Sequence, residues 1–277
     1  MYATVKTIYH THLELLKALN KPFTVIEHST LNEKFGIEAN TLVEAGAYPE
    51  LSYIAIGRGG HRGRMTAGGS TLIDILQHNI KHAALYEHLP FIMREVGNDL
   101  APSVRQNYGM RRLEEHNGTQ YFVYYLKKIN YESSYPEIKE LLVSDGEVTD
   151  SEYIPLPAQL NPVPIPYSNT TVNTSSGKHI SVQSTIEIKL TETDIAEIIA
   201  AVEIIYGDTG FATISEIAAV TASIQTVSTT VGGLNVSYDE AIAAQIANFI
   251  PANIDLKFTT KEISNTYSLG NISPYVT

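Results

Sequence analysis

Apolar residues recur along the start of the chain at Val5, Ile8, Leu15, Leu16 and Leu19, with His12 contributing in part. This spacing predicts one face of an amphipathic helix, ended by Asn20-Lys21-Pro22. Two strand-like runs follow at 23–27 and 51–56, with an Asn- and Gly-bearing loop between them, and the second run leads into a glycine-rich turn. Residues 71–85 place Leu72, Ile75, Leu76, Ile80, Ala83 and Ala84 at a weakly helical spacing, although a long loop that packs apolar side chains reads nearly as well. Asn117-Gly118 is a hairpin turn signal, and the aromatic and β-branched run at 119–129 predicts the strand that follows it.

Five prolines lie within thirteen residues at 154–166, a composition that forces extended backbone and allows pairing only at an edge. This stretch is the expected domain boundary. Beyond it, strands are expected at 170–174, 181–190, 211–221, 234–236 and 254–258. In 181–190, Val182, Ser184, Ile186, Ile188 and Leu190 alternate with Gln183, Thr185, Glu187 and Lys189, the pattern of a half-buried strand. A helix is expected over 192–205, with Thr191 or Thr193 as cap and acids in its first turn. A second, short helix is expected over 241–249, stopped by Pro251. The pattern as a whole predicts a β-dominated α+β protein. It would comprise an N-terminal mixed domain over 1–150, a proline-rich connector over 151–168, and a β-sandwich-like domain over 169–277 with one or two packed helices.

Composition narrows the function classes. The 277 residues are 43% hydrophobic, enough to fill a core, and 18% charged, below the roughly 25% usual for globular proteins. Much of the surface must therefore be neutral polar or covered by partners. The net charge of −11 argues against nucleic acid as the main ligand. Without cysteine there are no disulfides, thiolate metal sites or cysteine nucleophiles. No apolar run of signal-peptide type opens the chain and none reaches about 18 residues, so the expectation is a protein made in a cytoplasm, or built into particles there, without membrane insertion.

Charge is distributed unevenly. Residues 1–149 carry 15 Lys and Arg against 17 acids, whereas 150–277 carry 4 against 13. Inside the first half, residues 55–130 hold 10 Lys and Arg against 6 acids. This block contains Arg58, Arg62, Arg64, Arg94, Arg105, Arg111 and Arg112 together with the apolar anchors Phe91, Ile92 and Tyr108. These ten residues are the candidate interface, which would dock an acidic neighbour such as the acidic half of another copy. An internal salt-bridge network with Glu95, Asp99, Glu114 and Glu115 accounts for the same residues about as well.

No motif for catalysis, cofactor or metal binding is found. The glycines at 57, 59, 60 and 63 match neither phosphate-loop pattern and read better as a tight turn that exposes arginines. His78 and His82 are spaced i,i+4, yet Asn79 occupies the position where a zinc-protease motif has Glu, so they read as ordinary partly buried histidines. Asp145-Gly146 and Asp208 read as turn residues. Ser103 and Ser176 lie in no nucleophile motif.

Several segments resemble a family of virion structural proteins from contractile-tailed bacteriophages: 53–62 (YIAIGRGGHR), 89–100 (LPFIMREVGNDL), 117–127 (NGTQYFVYYLK), 204–208 (IIYGD) and 212–218 (ATISEIA). The similarity runs from about residue 50 onward. It implies a non-enzymatic virion component without a cofactor, whose partners are other phage structural proteins and copies of itself. The order of an early helix, a strand ending in Ile-Gly-Arg and a Pro-Phe-Ile-Met-Arg segment is similar to baseplate wedge proteins of T-even-type phages. The piece 215–218 also resembles tail-fibre attachment proteins, which keeps a fibre connector open. A carbohydrate-binding receptor protein and a cell-wall hydrolase stay open as other classes.

Overall fold

The computed structural model describes residues 4–37, 43, 47–164, 174–231, 234–258 and 261–276. Its strands are β1 (Val5–Lys6), β2 (Glu50–Gly57), β3 (His61–Met65), β4 (Thr71–Ile75), β5 (His88–Leu89), β6 (Ile92–Glu95), β7 (Tyr108–His116), β8 (Thr119–Lys128), β9 (Pro136–Ser144), β10 (Glu147–Glu152), β11 (Thr174–Leu190), β12 (Thr213–Val231), β13 (Leu234–Asp255) and β14 (Ile263–Val276). The α-helices are α1 (Ile8–Ala18), α2 (Leu31–Lys34), α3 (Pro102–Arg105) and α4 (Glu192–Tyr206). The protein is β-dominated α+β, as expected. None of the described helices is long and apolar enough to cross a membrane.

The chain forms two compact units, and they do not divide at the proline-rich stretch. One unit combines Met1–Ile129 with Leu190–Ile263, and the other combines Asn130–Lys189 with Ser264–Thr277. The expected separate C-terminal sandwich is corrected by strand pairing in the first unit. There β12 pairs antiparallel with β2, and β13 with β1, so both halves of the sequence build one sheet in the order β1-β13-β12-β2-β8-β6, with β5 on β2 and β7 on β8. The second unit is a four-stranded sheet in the order β10-β9-β11-β14. The segment 154–164 belongs to this unit, while 165–170, like most of the strand expected at 170–174, lies outside the described residues.

Local chemistry explains the elements that match expectation. Asn117 (φ 52°) and Gly118 (φ 79°) take the left-handed conformations of a two-residue hairpin turn, and Asp145-Gly146 does the same between β9 and β10. Helix α4 begins at a capping box in which Thr191 Oγ1 accepts the Asp194 N–H and Asp194 accepts the Thr191 N–H, and it ends on left-handed Gly207. Ile195, Ile198 and Val202 make its buried stripe.

Other elements depart from expectation for identifiable reasons. Residues 241–249 are not a helix but the middle of β13, with Ala241, Ala244, Ile246, Ala247 and Phe249 all buried. A strand covered on both faces is apolar throughout, and a run of that kind does not reveal its period. Pro251 does not stop the element, since β13 passes through it opposite Glu216, and β1 pairs with β13 only at Asn248 and Phe249. Residues 71–85 are β4 followed by a loop rather than a helix. Residues 23–26 remain non-regular because no strand edge is paired with them. In α1 the buried residue is Leu13, while Ile8, Leu15 and Leu19 of the expected apolar face are exposed.

Candidate functional site

The polar centre of the first unit is built on Glu216, a carboxylate 2% exposed on β12 and directly opposite Gly57 of β2. Its Oε1 accepts the N–H groups of Gly59 (3.0 Å) and Glu87 (3.1 Å), and its Oε2 accepts the Tyr86 N–H (3.1 Å) and His78 Nε2–H (2.7 Å). The glycines of the turn make this approach possible. A Cβ at Gly57 would lie 2.6 Å from Glu216 Oε1, and one at Gly60 would lie 2.5 Å from the Ser215 carbonyl oxygen. The turn therefore does hold a carboxylate on backbone N–H groups, but the carboxylate is the chain's own. Ser215 Oγ likewise accepts the Gly60 N–H (2.8 Å).

The His78 ring lies parallel to Phe249, with centroids 3.8 Å apart, and stacks on Tyr86 at 4.2 Å on its other side. Its Nδ1 is 3.1 Å from Nδ1 of His82, and that atom also accepts the Asn79 N–H at 3.3 Å. His78 thus turns its Nε2–H edge to the Glu216 carboxylate and its Nδ1 edge to His82. Burial first, and the neighbouring His78 second, hold His82 below the ordinary imidazole range. The centre ties the loop at 76–88 to β12 and β13. Among the described residues, no group of three or more His, Asp or Glu is arranged to hold a metal ion.

The candidate interface residues lie largely inside the unit. Phe91, Ile92 and Tyr108 are core residues at 0, 4 and 7% exposure, so they cannot be exposed anchors. Arg94 forms a two-pronged pair with Glu197 of α4, its Nη1 lying 2.7 Å from Oε2. Arg105 is buried, 3.6 Å from Glu240 and stacked 3.3 Å over the Tyr238 ring. Arg111 bonds Asp99 at 2.9 Å and covers the Phe122 ring at 4.3 Å, and Arg112 reaches Glu114 at 3.5 Å. Arg58 lies 3.4 Å from Glu87 and over Tyr206 and Phe211, and Arg64 pairs with Asp74 at 2.9 Å. Arg62 on β3 is exposed, with no carboxylate in ion-pair reach among the described residues. The basic block is thus mainly an internal network, which corrects the expected docking surface. Arg111→Glu would place an acid beside Asp99 and should cost the isolated chain about 2 kcal/mol in urea unfolding.

A family model described as "Family of unknown function (DUF7208)" matches residues 1–277. The chain belongs to this family. No curated protein and no solved structure matches it.

In this DUF7208 chain Glu216 carried a sequence signal that motif reading passed over. It is a lone acid at the position between Ile214 and Ala218 on one side of an apolar strand, where an acid must find internal donors. His88 gives a pH test of the same loop. Burial, with smaller contributions from Lys34 and His78, lowers it to about 3, and its Nε2 accepts the Leu85 N–H. Because the folded value lies below the unfolded value of about 6.5, the unfolded state binds the extra proton as pH falls between them, and stability declines. From pH 6.5 to 5 the native chain should lose about 1.5 kcal/mol more than His88→Gln, read from urea midpoints at each pH.

Proposed function

We propose that the chain is a structural subunit of a tailed-phage virion. In this reading it is a tail or baseplate component of wedge type that holds neighbouring subunits in fixed geometry through protein–protein contacts, without catalytic chemistry. The observation that carries the reading is the exposure of large apolar side chains on separate ordered elements: Ile8 and Leu15 on α1, Met65 and Ile73 on β3 and β4, and Val148 on β10 in the second unit. Scattered apolar residues are normal at a surface, but apolar faces on ordered elements mark places that a partner covers. The likeness of 53–62, 89–100 and 117–127 to contractile-tail virion proteins supplies the setting.

Peptide mass spectrometry of purified particles from the chain's source tests this. The expected result is the chain in particles at a copy number that is a multiple of three or six. Particles without it, alongside free chain in the lysate, would overturn the reading.

A further inference from the structure

The strands β3 and β4 form a ribbon that pairs with no other described strand. Its register places Met65 beside Thr71, Gly63 beside Ile73 and His61 beside Ile75, so these six residues share one face, while Arg62, Arg64, Leu72 and Asp74 share the other. On the first face Met65 is 75% and Ile73 66% exposed. Gly63 leaves the space beside Ile73 open, since a Cβ there would find only Thr71 Cγ2, at 3.8 Å. Two strands of five residues with an uncovered apolar face are marginal in water, and packing against another layer stabilises them. The ribbon is also cationic, with Arg62 and Arg64 against Asp74.

The second unit has the complementary surface. Pro136, Ile138, Lys139, Tyr153, Ile154 and Pro155 line an open groove of about 590 Å³, bordered by Glu137 and Glu152, with the Lys139 ammonium tied to Glu137 (3.1 Å) and Asp150 (3.0 Å). Ile154 is 65% exposed, and Glu152 has no cation in ion-pair reach among the described residues. This unit carries three Lys and Arg against eight acids over residues 130–189 and 264–277, a net charge of −5.

We infer that the β3–β4 ribbon of one copy docks into the groove at the β9–β10 end of a second copy, making a head-to-tail contact between identical chains. Met65 and Ile73 fill the apolar groove, and Arg62 meets Glu152 at its rim. A second copy is the occupant because the chain itself supplies both an apolar basic arm and an apolar acidic groove, each with an unmatched charge of opposite sign. The contact joins two different surfaces, so it is heterologous, closing into rings or running on as open strings of copies. Its biological setting rests on the assembly reading above. It is tested on the purified chain alone, so its failure leaves particle membership to be judged by the particle experiment.

The test is sedimentation velocity on the purified chain over a wide range of concentration, with Ile73→Asp (arm lost) and Ile154→Asp (groove lost). Both positions are exposed, so the melting temperature of each variant checks that it folds as the native chain does. The native chain is expected to gain mass with concentration, and each variant to associate at least about tenfold more weakly. An equimolar mixture of the two variants has one intact arm and one intact groove, so it is expected to form a dimer and nothing larger. A native chain that stays monomeric, association that survives either substitution, or a mixture without dimer would each overturn the contact.

Discussion

Glu216→Gln is expected to destabilise the chain by about 4 kcal/mol. The native carboxylate offers only acceptors, and it meets three backbone N–H groups and the His78 Nε2–H. An amide in its place must turn an NH2 group toward one of these pairs of donors, so donor faces donor in a site closed to water. His78 also loses the negative charge beside its ring. Urea unfolding gives the number, and the 76–88 loop should show it first, as faster amide exchange at Tyr86 and Glu87. A loss below about 1 kcal/mol would mean that the carboxylate is not what holds the loop.

The second large effect is expected at Asn32, 1% exposed in α2. Where β12 and β13 pair, Thr221 lies opposite Gln245 and Ser223 opposite Ile242, so Ala243 and Ala244 face Ala222 alone. This is a β-bulge, with Ala243 at φ 51°. A bulge takes backbone groups out of the ladder, and Asn32 receives them: its Nδ2 donates to the Ala241 carbonyl and its Oδ1 accepts the Ala244 N–H, each at 2.9 Å. Asn32→Ala leaves two buried backbone groups without partners and should cost about 3 kcal/mol. Asn32→Asp keeps the size and the acceptor but sets an oxygen against the Ala241 carbonyl, so it should fail to restore stability. Thermal unfolding of the two variants side by side checks both statements.

These two residues show which parts of the molecule sequence reading reaches. The hairpin into β8, the alternating β11 and the capped α4 were legible because turn, period and cap are each encoded within a few residues. The Ala-rich middle of β13 was not, since burial on both faces erases the period that separates strand from helix. The strand pairs that merge the two halves into one sheet join residues as far apart as Val5 and Phe249. Charge counts showed that arginines cluster at 58–112, but a count cannot separate a surface from an internal network. Asp99, Glu197 and Glu240 decided that question, and two of them lie in the other half of the sequence. Asn32 gave no signal, because the bulge it serves is itself a product of distant pairing.

The interleaving of the two units also sets an order of events during synthesis. A ribosome releases β2, β6, β7 and β8 early, and they can pair among themselves at once. The strands that cover β2 on its other side and receive β1 come from β12 and β13, which emerge only after the whole segment 130–189. Until then the apolar strand β2 keeps an open edge, so the nascent chain has its longest exposure to wrong pairing in that interval. Folding must wait on contacts of very long sequence separation, which are the slow ones to form. Truncation before β12 should therefore yield aggregated material rather than a folded N-terminal half.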